Sequence, residues 1–407
     1  MNHLLSDSGS KLIVQKYGGT SVGSIERIKH VAKHIANTVS GGDQVVAVIS
    51  AMGDQTDELL AMAHSISPHP PRRELDMLLT AGERISMALV SIALNELGQK
   101  AVSLTGSQSG IITDTVHGNA RISRIGAFRL QENLAAGNVV IVAGFQGVSA
   151  ETKEITTLGR GGSDLSAIAL AAALGARRCQ LYKDVDGVCS ADPRLVKTYK
   201  VLERLSWDSM TEMAWSGASV LHPRGAHLAA KYGMPLEIRS SFNLQQPGTL
   251  VSGREQMEKV VVHSITQKFK MAILRGTLKR QDESNLNELR TWLWQQGESP
   301  QIQVQFTTDY GIEFCWSLQE SLVEEACNRL TKKHKMITGP KIEGCTIVTL
   351  IGSGFWQSPE TLLEVQKVVP DHQFLDVKNS AISIALKAER AEGVVRGLHK
   401  SFIETID

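Results

Sequence analysis

The sequence predicts an α/β protein with a mostly parallel central sheet, followed by a smaller α+β region. Between residues 11 and 254, short β-branched apolar runs alternate with longer segments of helical periodicity. This alternation is typical of a parallel sheet that helices cover on both faces. A turn-rich stretch at 245–253 ends the pattern. The 407 residues also exceed what one hydrophobic core usually supports, which favours two or more domains.

Five apolar runs are expected as buried strands of the parallel sheet: 45–50, 101–104, 139–143, 180–182 and 236–239. Ligands of such sheets bind at the carboxyl ends of the strands. The Ala-rich run that starts at Leu165 is about helix length and predicts a buried helix.

The carboxy-terminal region, 259–407, repeats one order of elements. A strand, a helix, two strands and a second helix are predicted twice, in units of about 259–340 and 341–407. The two units are either consecutive or interleaved, and periodicity alone does not decide between these arrangements. Paired modules of this size suggest ligand binding or interaction.

Composition and charge exclude several classes of function. The formal net charge is +1 and basic residues are dispersed, so neither nucleic acid nor an anionic membrane is an expected partner. The five cysteines show no CxxC spacing, which argues against disulfide frameworks and zinc sites. We expect reduced thiols, a cytoplasmic location and no metal site built from protein ligands. No run approaches the roughly 20 apolar residues of a membrane span.

The first chemical motif, K-Y-G-G-T-S, begins at Lys16 and ends at Ser21. It follows an apolar strand and precedes a predicted helix. Gly18 and Gly19 would let backbone N–H groups approach a phosphate, and Lys16 would add a positive charge. The chain has no GxxxxGK[ST] loop. Alone, the motif fits an ordinary strand-to-helix turn equally well.

The second motif, T-L-G-R-G-G-S-D, ends at the start of the Ala-rich helix. Arg160 lies between glycines and could hold a carboxylate through two hydrogen bonds. Ser163 and nearby N–H groups could bind a further oxygen. Asp164 alone is explained equally well as a helix cap, but capping does not explain Arg160.

The third motif, K-D-V-D-G-V-C-S-A-D-P-R, runs from Lys183 to Arg194 after a short strand. The D-G pair alone would be an ordinary turn. The concentration of carboxylates and cations favours a loop that lies next to a nucleotide or magnesium. Weaker signals are S-A-M-G before Thr56 and T-A-G-E at Glu83, where an acidic residue also complements a helix dipole.

Together these motifs resemble those of the aspartokinase family. G-F-Q-G at 144–147 and V-L-H-P-R at 220–224 complete a set of seven motifs in the family's order across about 250 residues. The resemblance implies an αβα sandwich of the amino-acid-kinase type in 11–254, and a tandem of ACT-like, ferredoxin-like α+β modules in 259–407. It implies transfer of the γ-phosphoryl of ATP to the side-chain carboxylate of L-aspartate, the first step in making lysine, threonine and methionine.

The resemblance also assigns roles by position. The catalytic residues it implies are Lys16, Gly19, Ser21 and Asp164. The substrate-binding residues it implies are Thr56, Glu83, Arg160, Gly161, Gly162 and Ser163. The nucleotide-binding residues it implies are Lys16, Tyr17, Gly18, Gly19, Lys183, Asp184, Cys189, Ser190, Ala191, Asp192, Pro193 and Arg194. Mg²⁺ is expected to arrive with ATP rather than in a protein cage.

Two departures from the family pattern bear on these roles. Lys183 stands where threonine is usual, and Ser219 stands where a nucleotide-binding lysine is usual, which suggests that the positive charge has moved to Lys183. The Asp-x-Pro-Gly turn that often opens an ACT helix does not occur near 277–286. The sequence therefore does not identify the effector or its binding site.

Alternatives and partners complete the expectations. A related enzyme of this fold could phosphorylate glutamate, N-acetylglutamate or a nucleotide, and a non-catalytic regulator could sense a metabolite through its ACT-like units. Small sheet modules expose edges that pairing covers, so we expect a homodimer or higher homo-oligomer through the carboxy-terminal region.

Overall fold

The computed structural model describes residues 11–253, 260–279, 284–309, 311–334, 337–338 and 342–404. These residues form two compact units. Unit 1 takes its residues from Met1–Val188, Val201–Trp207 and Val220–Arg254, and unit 2 from Cys189–Lys200, Asp208–Ser219 and Glu255–Asp407. Two segments within 11–254 thus belong to unit 2. The predicted boundary at 254–259 lies outside the described residues.

The strands of unit 1 form a central sheet and a small second sheet. In chain order they are β1 Leu12–Tyr17, β2 Gln44–Ile49, β3 Ala101–Leu104, β4 Ile111–Thr113, β5 Ile122–Ile125, β6 Val139–Ala143, β7 Gln146–Ser149, β8 Ile155–Thr157, β9 Arg178–Lys183, β10 Arg204–Leu205, β11 Leu236–Ser240 and β12 Thr249–Val251. All five predicted strands are present, but β3 is mostly half-buried rather than buried.

The helices up to residue 253 are α1 Ile25–Ser40, α2 Gln55–Ile66, α3 Arg72–Glu96, α4 Phe128–Ala135, α5 Gly162–Leu174, α6 Trp207–Trp215 and α7 Pro223–Tyr232. Local chemistry sets their ends. The Ser24 hydroxyl accepts a hydrogen bond from the Arg27 N–H at 3.2 Å and caps α1. Helix α5 ends at Gly175, whose φ of 62° is in the left-handed region that glycine tolerates.

The central sheet has the order β10-β12-β11-β9-β1-β2-β6-β3 among the described residues. Its inner strands pair in parallel, and β12 is antiparallel to β11. Tyr17 of β1 is in register with Ile49 of β2 and Tyr182 of β9, so the carboxyl ends of these three strands meet at one edge. The predicted parallel sheet is confirmed, and the motifs follow its strand ends.

Helix α3 is the one described helix whose length and composition would also allow a membrane span. It packs against α1, β3 and β6 and buries two carboxylates, Asp76 and Glu83. Packing of this kind is typical of a core helix.

Unit 2 contains an antiparallel sheet with the order β14-β15-β13-β17-β19-β18, and β16 pairs with β13. Its strands are β13 Val261–Leu278, β14 Gln303–Thr308, β15 Gly311–Gln319, β16 Ile337–Thr338, β17 Ile342–Ser353, β18 Phe374–Val377 and β19 Ala381–Lys387. Its helices after residue 260 are α8 Ser284–Gln295, α9 Glu320–His334, α10 Pro359–Val368 and α11 Ala391–His399. The two predicted sets of elements are present.

The two modules of unit 2 are interleaved through strand β13. Ile265, in its first half, packs in a core with Val348 of β17 and Val395 of α11. Leu274, in its second half, packs in a separate core with Leu289 of α8. One strand therefore serves both modules, and of the two predicted arrangements the structure shows the interleaved one.

The segment 189–200 belongs to unit 2 because its apolar side chains and its backbone are bound there. Ala191 and Val196 lie in the core that contains Ile265. The Ile265 N–H donates to the Ser190 carbonyl oxygen at 2.8 Å. The chain therefore passes from unit 1 to unit 2 directly after Val188.

Candidate active site

The loop after β1 is built for close backbone approach. A Cβ on Gly19 would lie 2.9 Å from the Gly53 carbonyl oxygen, so no larger residue fits without movement. In return, the Gly53 N–H donates to the Gly19 carbonyl oxygen at 3.0 Å. Lys16 Nζ lies 3.5 Å from where a Cβ on Gly18 would sit. The ammonium of Lys16 and this glycine loop therefore face the same space.

Two lysines share one buried carboxylate at the centre of unit 1. Lys16 Nζ lies 2.8 Å from Asp164 Oδ1, and Lys183 Nζ lies 2.6 Å from Asp164 Oδ2. Asp164 is only 2% exposed. It lies in the first turn of α5, while the lysines come from β1 and β9, so three elements converge. Two cations and one anion leave a local excess of positive charge.

The charges of this cluster are coupled. Burial raises the pKa of the Asp164 carboxyl, but the attraction of Lys16 and Lys183 outweighs it and leaves that pKa well below its ordinary value. Burial lowers the pKa of Lys16, and the ion pair with Asp164 opposes that shift. Asp164 is therefore ionised at neutral pH and holds both ammonium groups in place.

Glu83, on helix α3, is a buried carboxylate with one oxygen unpaired. Its Oε1 accepts a hydrogen bond from the Ala51 N–H at 3.3 Å, while its Oε2 has no partner among the described residues. Burial raises the pKa of Glu83 to about 7, and the nearby Lys16 charge opposes the shift. The free oxygen is a place for a cationic group to bind.

The loop before α5 needs its glycines for conformation and space. Gly161 has a φ of 68°, and a Cβ there would lie 2.4 Å from the His222 Cβ. A Cβ on Gly144 would lie 2.8 Å from the Ser163 hydroxyl. Arg160 is exposed, and no hydrogen bond or ion pair within the described part of the chain holds its guanidinium. That guanidinium is free to bind an anion.

The remaining predicted residues lie in varied environments. Thr56 is half-buried at the start of α2, and Asp184 is exposed after β9. The side chain of Tyr17 lies in the hydrophobic core, stacked on Tyr182 with ring centroids 4.8 Å apart. The predicted nucleotide contact at Tyr17 therefore stays a prediction, and the backbone of this residue would have to make it.

The predicted nucleotide residues 189–194 all lie in unit 2. Ser190 is buried, and its hydroxyl hydrogen-bonds His399 Nε2 at 2.9 Å. Asp192 pairs with Arg194 at 2.7 Å. Ser190, Asp192 and Arg194 thus have hydrogen-bond or ion-pair partners within unit 2, and their contacts with a nucleotide stay predictions.

Comparison with known proteins places this site in a family. The model of the amino acid kinase family matches residues 11–240. The aspartokinase of Geobacillus stearothermophilus is 42% identical over 401 residues, which are 96% of this chain and 97% of that protein. The chain belongs to the aspartokinase family. The aspartokinase of Corynebacterium glutamicum is 39% identical over 415 residues, with 96% of each chain covered.

Solved aspartokinases share the fold of this family member. The crystal structure of E. coli aspartokinase III with aspartate and ADP has a TM-score of 0.80 at 23% identity and covers 97% of this chain and 100% of that one. The aspartate kinase of Synechocystis has a TM-score of 0.55 at 34% identity, over 96% of this chain and 69% of that one. The predicted amino-acid-kinase fold is confirmed.

Three residues that lie beside the candidate site of this aspartokinase were not predicted from the sequence. His222 caps α7 and packs on Gly161. Phe145 has a φ of 68°, and its N–H donates a hydrogen bond to the Ser166 hydroxyl at 3.1 Å, which ties its loop to α5. Asp76 is buried on α3, on the same face as Glu83. The motifs G-F-Q-G and V-L-H-P-R indicated the first two regions, but no motif singled out Asp76.

Proposed function

We propose that this chain is an aspartate kinase that converts ATP and L-aspartate to ADP and 4-phospho-L-aspartate. The observation that supports this most is the arrangement around Lys16. A cationic cluster suited to a phosphoryl group lies at the same loop as Glu83. Glu83 accepts a hydrogen bond from the Ala51 N–H, and the Ala51 carbonyl oxygen lies 3.0 Å from where a Cβ on Gly19 would sit. An anion-binding centre next to a buried, half-paired carboxylate suits a zwitterionic amino acid as acceptor.

The proposed chemistry needs no general base. The side-chain carboxylate of aspartate is already an anionic nucleophile, so catalysis depends on holding two anions in line and neutralising charge in a loose transition state. Lys16, with the N–H groups of Gly18 and Gly19, would bind the transferring phosphoryl group, and Ser21 lies in the same turn. Asp164 would act as the positioning residue for both lysines.

Substrate recognition is proposed for three surrounding groups. The free oxygen of Glu83 would accept the ammonium of aspartate. The exposed guanidinium of Arg160 would hold a carboxylate of aspartate through two hydrogen bonds. Ser163, Thr56 and the N–H groups of Gly161 and Gly162 would add further polar contacts. Together they would select a free amino acid over an N-acylated one, which lacks the ammonium.

Lys183 is proposed to replace the nucleotide-binding lysine that the family usually has at the position of Ser219. Its ammonium is held on Asp164 opposite Lys16. Ser219 is exposed and belongs to unit 2. Asp184, beside Lys183, remains a proposed contact of the nucleotide, as do residues 189–194.

Magnesium would enter as part of the MgATP substrate. Both oxygens of Asp164 are paired with lysines, so this carboxylate does not suit a divalent cation. Within the described ranges, no group of three histidine, cysteine, aspartate or glutamate side chains could hold a metal ion. The ion would neutralise phosphate charge while the two lysines complete the neutralisation.

Unit 2 is proposed to regulate the enzyme and to mediate its assembly. Strand β14 pairs only with β15 among the described residues and leaves an edge to which a second copy could add. Inhibition by lysine or threonine is the form of regulation to test first.

A coupled assay of ADP formation tests the function. We expect turnover with aspartate and ATP, and little or none with glutamate, N-acetylglutamate or nucleoside monophosphates. Repeating it with lysine, threonine and methionine identifies the effector. Absence of turnover with every acceptor, from a folded protein that binds amino acids, would instead support a non-catalytic sensor.

A further inference from the structure

Helix α3 carries a second buried carboxylate besides Glu83. Asp76 is 1% exposed, and both of its oxygens are hydrogen-bonded. Oδ1 accepts from the Thr157 hydroxyl at 2.6 Å and from the Gly118 N–H at 3.1 Å, and Oδ2 lies 2.7 Å from His117 Nδ1. Buried carboxylates that are fully hydrogen-bonded fix the geometry of the groups around them.

Thr157 is the last residue of β8 and leads into the loop that presents Arg160. Its carbonyl oxygen accepts from the Ala120 N–H at 2.8 Å, and the carbonyl oxygen of Leu158 accepts from Arg224 Nη1 at 2.8 Å. Thr157 and Leu158 are therefore held on several sides, while the Arg160 side chain is exposed. The position of the guanidinium depends on where the loop is anchored.

Asp76 and Glu83 share one rigid element. They are seven residues apart on α3, which places them on the same face about 10 Å apart along the axis. In the proposed function Glu83 would bind the substrate ammonium, and Asp76 holds Thr157, which precedes the Arg160 loop. The helix thus fixes the position of Glu83 relative to the Arg160 loop, the two groups that would bind the ammonium and a carboxylate of the substrate.

We propose that Asp76 is a positioning residue that sets substrate specificity through Thr157. Resting on the proposed function, the inference is that Asp76 fixes the Arg160 loop relative to Glu83, so that the head of the amino acid lies at one distance from Lys16. Only a side chain of the length of aspartate then brings its carboxylate to the phosphoryl group. Glutamate, one methylene longer, would be rejected by this fixed distance.

The test compares three threonine variants of the full chain. Thr157→Val removes the hydroxyl that binds Asp76, and Thr157→Ser restores it. Thr156→Val is the matched control, because Thr156 is the buried neighbour whose hydroxyl bonds Thr113 at 2.7 Å instead. For each variant, KM and kcat are measured with aspartate, glutamate and ATP, and folding is checked by thermal unfolding.

We expect Thr157→Val to raise the KM for aspartate roughly tenfold and to narrow the preference for aspartate over glutamate by a similar factor. The KM for ATP should stay unchanged, and Thr157→Ser and Thr156→Val should resemble the wild type. Wild-type constants and preference in Thr157→Val, or an equal defect in Thr156→Val, would overturn the role of Asp76. A wild-type chain inactive with aspartate would instead refute the proposed function itself.

Discussion

The site contains two buried carboxylates whose surroundings shift their pKa values in opposite directions. Asp164 has a lysine ammonium on each oxygen, and its pKa lies below the ordinary value. Glu83 has one backbone donor and one unpaired oxygen, and burial raises its pKa to about 7. Burial is similar for the two groups, so the difference lies in the partners. Both oxygens of Asp164 have a lysine ammonium nearby, whereas one oxygen of Glu83 has no partner within the described part of the chain and would, in the proposed function, receive a cationic ligand.

The largest expected effect comes from removing one of the two lysines that pair with Asp164. Lys16→Ala should lower kcat by about 100- to 1,000-fold, the scale seen when one preorganised charge-stabilising donor is lost. The fold should persist, because Asp164 keeps Lys183 as a partner. Steady-state kinetics measure the change. Lys11→Ala, which removes an exposed lysine just before β1, is the control and should be silent.

Retention of wild-type kcat in Lys16→Ala would place the phosphoryl group elsewhere. The Lys16–Asp164 pair would then be only structural.

The second expected effect concerns Arg160, whose guanidinium is exposed. Arg160→Lys should raise the KM for aspartate by roughly tenfold or more, because an ammonium cannot reproduce the planar two-point grip of a guanidinium on a carboxylate. The KM for ATP should change little. Initial-rate measurements at varied aspartate give the comparison, and the exposed Arg129→Lys serves as a control. An unchanged kcat/KM for aspartate would remove Arg160 from the substrate site.

A smaller effect tests whether Asp164 holds two functional cations. Lys183→Ala should raise the KM for ATP by roughly 5- to 150-fold, which corresponds to the loss of about 1 to 3 kcal/mol for one charged contact. Adding Ser219→Lys should partly restore it. A double-mutant cycle of the two substitutions measures their coupling. Normal ATP affinity in Lys183→Ala, or strictly additive effects of the two changes, would show that the charge has not moved to Lys183.

The sequence predicted unit 1 better than unit 2, and for physical reasons. Strands β1, β2 and β9 are apolar runs that end in glycine or charged motifs, so both the sheet and its functional edge were evident. The pairing of Lys183 with Asp164 joins residues 19 positions apart, and only the fold shows that both side chains point to one place. The motif also did not show that the side chain of Tyr17 lies in the core while that of its neighbour Lys16 reaches Asp164, as alternation along β1 allows.

Long-range pairing in unit 2 was beyond the reach of periodicity. Strand β13 pairs with β15 in its second half and with β17 along most of its length, so it belongs to both modules. Ser190 belongs to the same motif as Lys183, yet its hydroxyl is hydrogen-bonded to His399, 209 residues away. No local sequence pattern predicts a hydrogen-bond partner this far away in the chain. Asp76 was missed for the same reason, since its partners lie 41 and 81 residues away.

The contrast between Asp164 and Glu83 makes a pH-dependent prediction for substrate binding. Glu83 must be ionised to pair with the ammonium of aspartate, and its pKa in the free enzyme is about 7. Binding therefore weakens as the pH falls through 7 and Glu83 takes up a proton. Asp164 stays ionised throughout this range and contributes no pH dependence.

The decisive measurement is the Kd for aspartate between pH 6 and pH 8, determined by calorimetry in the presence of ADP. Because about one Glu83 in ten is ionised at pH 6 and about nine in ten at pH 8, we expect the Kd to be roughly tenfold higher at pH 6. Glu83→Gln should bind aspartate weakly at every pH, and its Kd should not follow this curve. A wild-type Kd that stays constant across the range, or the same slope in Glu83→Gln, would contradict the assignment of Glu83 as the open carboxylate that receives the substrate.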